Sequence, residues 1–423
     1  MATLLEYKCP ACGGALNFDS DLQKMKCPYC DTEFEVEALK SLDEELKNTP
    51  QEDMSWDCEN GTQWDASETE GLRSYVCESC GGEVIGDATT AATTCPYCDN
   101  PVVMKGQFAG DLRPDLVIPF QKDKDDAKAA LTKHYSGKPL LPKIFKKENR
   151  IEEVKGMYVP FWLYDAGVEA DINYRATRVR MWSDSKYRYT QTKHYSVHRA
   201  GTLGFASVPV DGSSKMPDDL MESLEPYDLS QAQDFQTAYL AGYLADKYDV
   251  SSQDGAPRAN DRIRQSTEDE FRSTVQGYDS VRQDNASIRL TDRKVQYALY
   301  PVWMLTTLYK GERFTFAMNG QTGKMVGNMP VNWLAFWMWL LGLTLAIGAI
   351  GTLIFGELLI CGIVGLVIGL IVVFIMKGQL KSVRKQSAAA NYVLEGSLQM
   401  HSSSDRYLYQ NTTRVEIPQN NQK

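Results

Sequence analysis

WLAFWMWLLGLTLAIGAIGTLIFGELLICGIVGLVIGLIVVFIM, residues Trp333–Met376, contains one carboxylate, Glu357, and one thiol, Cys361. Glu357 divides the run into 24 apolar or small residues, Trp333–Gly356, and 19 more, Leu358–Met376. At 1.5 Å per residue these would reach about 36 Å and about 28 Å, close to the roughly 30 Å of a bilayer's hydrocarbon core. A buried soluble helix pair would need a polar face, and nothing polar recurs here every three or four residues. The spacing therefore predicts a transmembrane hairpin over 333–376, with helices 333–355 and 358–376. A mid-bilayer charge costs about 2.5–3.5 kcal/mol, so Glu357 belongs in the connection at the far interface. Trp333, Phe336, Trp337 and Trp339 lie where aromatic rings favour headgroups. Gly342, Gly348, Gly351, Gly362, Gly365 and Gly369 would let two helices approach, most simply each other.

Charge sets the expected orientation. Lys324 precedes the hairpin, Lys377, Lys381, Arg384 and Lys385 follow it, and the connection carries no cation. Both termini are expected in the cytoplasm, in a two-helix, multi-pass protein of the cell membrane. The four cations after Met376 are expected to contact anionic lipid.

The other 90% of the chain reads differently, and a mean hydropathy of −0.36 fits a mostly water-exposed body. Residues 1–100 hold 21 Asp and Glu against 6 Lys and Arg, while the whole chain has a net charge of −10. Nine of the ten cysteines also lie there, eight of them in Cys-x-x-Cys pairs. The N-terminus lacks a basic start followed by an apolar stretch, so no secretory signal is expected. Paired thiols in a reducing compartment read as metal ligands, not disulfides.

Cys9-Pro-Ala-Cys12 and Cys27-Pro-Tyr-Cys30 are separated by 14 residues, as are Cys77-Glu-Ser-Cys80 and Cys95-Pro-Tyr-Cys98. Residues 7–31 and 75–99 match at 11 of 25 positions, including Gly13-Gly14 with Gly81-Gly82. This is an internal duplication. Four thiolates per copy suit tetrahedral Zn²⁺ and leave no open position for catalysis, so two structural zinc ions are expected. A redox pair would need one Cys-x-x-Cys beside a βαβ unit. Cys58 falls outside both quartets. Polyanions are bound through Lys and Arg, so these acidic ribbons are not expected to touch nucleic acid; a basic protein surface suits them better.

Between ribbons and hairpin the pattern is mixed. Glu35–Lys47 reads as a short acidic helix, with Trp56 and Trp64 as packing anchors beyond it. Asp123–Tyr135 reads as a helix, followed by an extended basic loop with Lys138, Lys143, Lys146 and Lys147. Tyr158–Arg180 and Tyr187–Val197 alternate as strands, joined near Asp184. Ala238–Tyr248 places Leu240, Leu244 and Tyr248 at helical spacing, and Ile263, Phe271, Val275 and Tyr278 stripe a longer helix. Ala298–Leu308 and Arg313–Met318 read as a hairpin. Pro160-Phe-Trp162 and Pro301-Val-Trp303 form a faint second echo. Residues 172–200 carry seven Lys and Arg against one Asp, interleaved with aromatics. Arg175, Arg178, Arg180, Arg188 and Lys193 could meet nucleic acid, anionic lipid or the chain's own acidic ribbons, or form a solvated strand face. His194 and His198 fall in a strand, which disfavours a metal role. The tail after residue 376 is polar with sparse anchors at Tyr392, Leu394, Tyr407, Leu408 and Tyr409, open between a short docking segment and a flexible end.

No catalytic signature is present. Gly323-Lys324 lacks the first glycine and the following Ser or Thr of a phosphate loop, and there is no Gly-x-Ser-x-Gly or His-Glu-x-x-His. No catalytic residue, small-molecule substrate or enzymatic activity is expected.

The paired ribbons, Pro-Phe-Trp-Leu at 160–163, Val-Pro-Val-Asp-Gly-Ser at 208–213, Ala-Tyr-Leu-Ala-Gly-Tyr-Leu-Ala at 238–245 and Phe-Ala-Met-Asn-Gly-Gln-Thr-Gly-Lys-Met-Val-Gly at 316–327 resemble a bacterial family. Its members are membrane-anchored, TFIIB-type double-zinc-ribbon proteins, some encoded beside phage-shock-protein-A-like and flotillin-like (SPFH) proteins. Relatives sometimes labelled primosomal helicases carry that label through the ribbon alone, and this chain has no nucleotide loop. The resemblance implies a non-enzymatic scaffold that recruits cytosolic or membrane proteins in a membrane-stress response; a membrane-tethered nucleic-acid-binding regulator is the competing reading. The expected fold is multidomain α+β: ribbons at 1–34 and 75–104, a linker at 35–74, a mixed α+β domain at 111–330, the hairpin at 333–376, and a basic juxtamembrane segment and polar tail at 377–423.

Overall fold

Four strands far longer than the usual five or six residues carry the body of the protein. The computed structural model describes residues 8–40, 51–58, 63–87, 94–107, 112–148 and 153–417. Its elements begin with a small antiparallel sheet of β1 (Asn17–Asp19), β2 (Lys24–Lys26) and β3 (Glu33–Phe34). Then come β4 (Leu72–Val76), β5 (Glu83–Asp87), β6 (Val103–Gln107), β7 (Leu116–Val117), α1 (Lys124–Tyr135) and α2 (Lys143–Glu148). The long strands follow as β8 (Lys155–Ser183), β9 (Tyr187–Asp211) and β12 (Ser280–Tyr309). Between β9 and β12 lie α3 (Asp218–Leu224), β10 (Gln233–Asp234), β11 (Leu244–Asp246) and α4 (Ser252–Ser273). The chain ends with β13 (Glu312–Asn319), β14 (Met325–Gly327), α5 (Trp333–Phe355), α6 (Leu358–Gly378) and β15 (Gln399–Glu416).

The long strands lie side by side in the order β12–β8–β9–β15, all antiparallel. Period-two patterning explains β8. Trp162, Tyr164, Ala166, Val168, Ala170, Ile172, Tyr174 and Ala176 all enter one core, where Ile263 and Phe271 of α4 cover them. Met157, Val159, Phe161 and Leu163 enter a second core on the opposite face, with Leu220, Met221 and Leu224 of α3. A register shift between Tyr164 and Ala166 bends the pair, with Ser207 at φ +55° opposite and its N–H donated to Asp165 Oδ1 at 2.5 Å.

The ribbons attach in different ways. β11 pairs parallel to β8 and antiparallel to β5, so β5, β4 and β6 extend the main sheet and the second ribbon is continuous with the body. The first ribbon keeps its own sheet and docks through Phe34, whose ring meets Tyr409 of β15 edge-on at 5.3 Å. Leu408 and Tyr409 join Cys9, Leu16, Cys27 and Phe34 in one small core.

Several sequence expectations change. The tail is neither short nor detached, because 18 of its residues form β15 along β9. Ala238–Tyr248 is not a helix: a single turn at Thr237–Leu240 ends, Gly242 takes φ +81°, and Leu244–Asp246 is a strand wedged between β5 and β8. The basic loop after Lys138 folds into α2 from Lys143. Residues 36–40 are helical as the acidic helix requires, and 41–47 of that expectation lie outside the described residues.

α5 and α6 are long and apolar enough to cross a membrane. They are not core helices, since most of their apolar surface is open, with Leu353 88% and Leu358 75% exposed. Asn332 caps α5 by accepting the Ala335 N–H at 3.1 Å. Gly356 ends it at φ +75°, a conformation that favours glycine. The helices meet through Gly348, Gly351, Gly365 and Gly369; a Cβ on Gly365 would lie 2.8 Å from the Thr344 carbonyl oxygen. Gly342 and Gly362 face open space instead.

Past α6 the chain returns along the body. Arg384 and Ala389 donate their N–H groups to Ser223 Oγ and Ser266 Oγ, and the Tyr392 hydroxyl donates to Glu225. Glu225 is also paired with the buried Arg262 at 2.6 Å.

Candidate metal centres

Each Cys-x-x-Cys pair folds as a tight knuckle, and the two copies repeat it bond for bond. Cys9 N–H donates to Gly14 O and Gly13 N–H to Cys9 O; Cys77 N–H donates to Gly82 O and Gly81 N–H to Cys77 O. In the second pairs, Asp31 and Asp99 N–H donate back to Cys27 O and Cys95 O. The residue after each second cysteine turns left-handed: Gly13 at +78°, Asp31 at +54°, Gly81 at +70° and Asp99 at +60°. This is the conformation that Gly and Asp tolerate.

The glycine after each of Gly13 and Gly81 has a different reason. A Cβ on Gly14 would sit 2.5 Å from the Tyr29 ring, and one on Gly82 would sit 2.8 Å from Tyr97. The duplicated Gly-Gly and Pro-Tyr are thus one contact, made twice.

The knuckles bring the thiols together. Cys9 and Cys30 Sγ lie 3.7 Å apart and Cys12 and Cys27 Sγ 3.5 Å; Cys77–Cys98 and Cys80–Cys95 are at 3.5 and 3.6 Å. In each quartet all four Sγ atoms fall within 4.8 Å of one another. A tetrahedron with Zn–S bonds of about 2.3 Å has edges of about 3.8 Å, so the donor sets fit a tetrahedral thiolate-bound ion. Each quartet could hold one metal ion. Without metal, burial pushes the Cys9 thiol up to about 12, whereas the Thr32 hydroxyl and N–H beside Cys30 bring it down to about 6. Burial raises Cys95 as well.

The two centres differ in what surrounds them. Tyr97 is buried in the body near Asp211 and Asp246. Its counterpart Tyr29 is 76% exposed, and Phe18 and Leu22 of the same ribbon are also open.

The basic stretch is dispersed. Arg175 pairs with Asp284 and donates to the Pro10 carbonyl at 3.0 Å, so it touches the first ribbon. Arg178 lies between the rings of Tyr195 and Tyr278, 5.2 and 4.7 Å from their centroids, and Lys193 is its cross-strand neighbour. Arg180 covers Trp182, which stacks on Tyr189, and Arg188 is exposed near the tip. His194 stacks on Tyr409, which packs beside the first quartet, and His198 bonds Asp171 at 3.0 Å; neither is a member of a thiol quartet. Lys377 lies over Trp333 and Phe374 at the hairpin's base; Lys381, Arg384 and Lys385 follow it, exposed. The sequence marks Leu408 and Tyr409 as anchors of a candidate docking segment but does not show that what they seat is the first ribbon. The signal was present as adjacent large side chains in an otherwise polar tail.

The chain is 35% identical over 329 residues to YdjG, an uncharacterized protein of Bacillus subtilis (strain 168). The match spans 78% of this chain and 91% of that protein. No family model matches the chain. No solved structure matches it.

Proposed function

This chain belongs to the family of YdjG, and from that premise we propose that it is a non-enzymatic, membrane-anchored scaffold that recruits cytosolic proteins to the bilayer. The observation that carries this reading is the contrast between Tyr97 and Tyr29. The second ribbon uses its tyrosine to pack on the body, and the first leaves Tyr29 open beside exposed Phe18 and Leu22. A duplicated module with one copy built in and the other outward has one copy available for a partner. Each ribbon holds one structural Zn²⁺ in this reading, because four thiolates leave no position for substrate.

α5 and α6 cross the membrane as a hairpin with both termini in the cytoplasm, supported by Lys377, Lys381, Arg384 and Lys385 at one end only. The partners we favour, from the family resemblance, are phage-shock-protein-A-like or SPFH-like proteins in a membrane-stress response. The test is affinity purification from native membranes of the intact chain, of Tyr29→Ala with Leu22→Asp, and of the Cys9/Cys12/Cys77/Cys80→Ser variant. A partner lost from the first variant while its metal content is unchanged supports recruitment. An unchanged partner set in both variants removes it.

A second reading, a membrane-tethered nucleic-acid binder, draws on Arg180, Trp182 and Tyr189 at the tip of β8 and β9. Salt-sensitive retention on single-stranded DNA, lost in Arg178→Ala with Arg180→Ala, would favour it.

A further inference from the structure

The basic loop that the sequence leaves unassigned lies at the base of the hairpin. The Asn332 N–H, one residue before α5, donates to the Leu140 carbonyl at 2.8 Å. Lys138 Nζ approaches Met329 Sδ at 3.8 Å from the same loop. Three residues beyond Leu140, α2 begins, so its first residues stand at the level where α5 leaves the body.

α2 presents two unlike faces. Phe145 is 1% exposed and meets the rings of Tyr309 and Phe314 at 5.3 and 5.5 Å, which anchors the helix. Ile144 beside it is 58% exposed, and Lys143 is open as well. The fold uses Phe145 and leaves the Lys143–Ile144 edge unsupported. Lys377, over Trp333, and Lys381 place further cations around the same end of the hairpin. Fixed cations attract an anionic surface only within a Debye length, about 8–10 Å, so their position at the hairpin's base matters.

We propose that the Lys138–Ile144 segment is a second, peripheral contact with the lipid surface, in which Ile144 enters the headgroup layer of an anionic leaflet and Lys143 meets its phosphates. The inference rests on the membrane reading of α5 and α6. It holds the body against the bilayer at one end, with the β8–β9 tip at the other: Gly156 of β8 pairs with Trp303 in the core that also holds the hairpin's base, and Met181 lies about 80 Å of strand path further on.

The test uses the full chain in lipid nanodiscs, of phosphatidylcholine alone or with phosphatidylglycerol, carrying a benzophenone amino acid at Leu353, Ile144 or Met181. Lipid adducts, read by mass spectrometry, are expected at Leu353 in both lipids. At Ile144 they should exceed the Met181 background and rise several-fold with phosphatidylglycerol, and Lys143→Glu should return them to the phosphatidylcholine level. Adducts at Leu353 with only background at Ile144 would overturn the second contact and leave the hairpin intact. Equal yields at Ile144 in the two lipids would overturn its anionic character. No adduct at Leu353 would remove the membrane reading itself.

Discussion

Trp162 and Trp303 occupy equivalent places in two halves of the body. Trp162 donates its indole N–H to the Val250 carbonyl at 2.9 Å, and Trp303 donates to the Lys122 carbonyl at 2.8 Å. In each case the next residue, Ser251 or Asp123, is the side-chain cap of a helix, α4 or α1. The likeness continues outward. Pro160 and Pro301 carbonyls accept N–H bonds from Gly212 and Gly320, and Asp211 and Asn319 each accept the N–H two residues on. β11 lies parallel to β8 as β7 lies parallel to β12. The short Pro-x-Trp echo is therefore the visible part of a duplicated β-α-β-β unit whose strands are exchanged between copies.

Replacing either tryptophan with phenylalanine keeps most of the apolar surface but leaves a carbonyl beside a helix cap unpaired. We expect Trp162→Phe and Trp303→Phe each to cost about 1–3 kcal/mol, measured by chemical denaturation of the intact protein in detergent. Equal stability of both variants to the parent would show that the indole bonds do not hold the helices.

The copies diverge at Asp211 and Asn319, and the divergence has a pH signature. Asn319 donates to the Leu224 carbonyl at 3.0 Å, whereas Asp211 Oδ2 and the neighbouring Asp246 Oδ2 are buried without a hydrogen-bond partner among the described residues. Burial raises both carboxyl groups, Asp246 to about 7. A carboxyl raised on folding destabilises the native state as pH climbs from its unfolded value, near 4, to its folded one. Asp246→Asn should thus stabilise the protein by about 1–2 kcal/mol at pH 5 and at most about 4 kcal/mol at pH 8. A melting-temperature gain that does not grow with pH would contradict this.

Metal removal should act unequally on the two ribbons. β5 is bonded to β11 inside the main sheet, so Cys95→Ser should lower the melting temperature of the whole body. Cys27→Ser should release one metal equivalent and expose Leu408 and Tyr409 while leaving the main transition in place, as read by elemental analysis and hydrogen exchange. Because burial raises Cys9 and Cys95, metal binding must displace protons, and the affinity of both sites should fall as pH is lowered.

In the hairpin, a Cβ at Gly365 presses on the Thr344 carbonyl, so Gly365→Leu should splay α5 from α6, whereas a Cβ at Gly342 meets nothing within 4 Å and Gly342→Leu should be tolerated. Thermal unfolding in micelles should distinguish them, with only the first destabilised. Loss of stability in both would point to a second protein on the Gly342 face.

Legibility in the sequence followed how locally each feature is encoded. Helix lengths in α5 and α6 come from an unbroken apolar run, and the thiol quartets come from spacing; both were readable. α1 and the β12–β13 hairpin follow from local period and turn residues. β15 was not readable, because Ser402, Ser403, Ser404 and Thr412 give no apolar alternation, and its pairing is held by backbone bonds to β9. Leu240, Leu244 and Tyr248 matched a helical period by coincidence: the chain breaks at Gly242 and pairing with two distant strands decides the rest. The exposed Tyr29 and buried Tyr97 could not be told apart at all, since their local sequences are the same.

The return of the chain after α6 also sets an order of manufacture. The ribosome releases both ribbons and three of the four long strands before the apolar helices emerge, and the seat for the first ribbon, Leu408 and Tyr409, comes only afterwards. A nascent chain stalled after α6 would carry its first ribbon without a berth, so β15 acts as a latch that can close only after both apolar helices have been made.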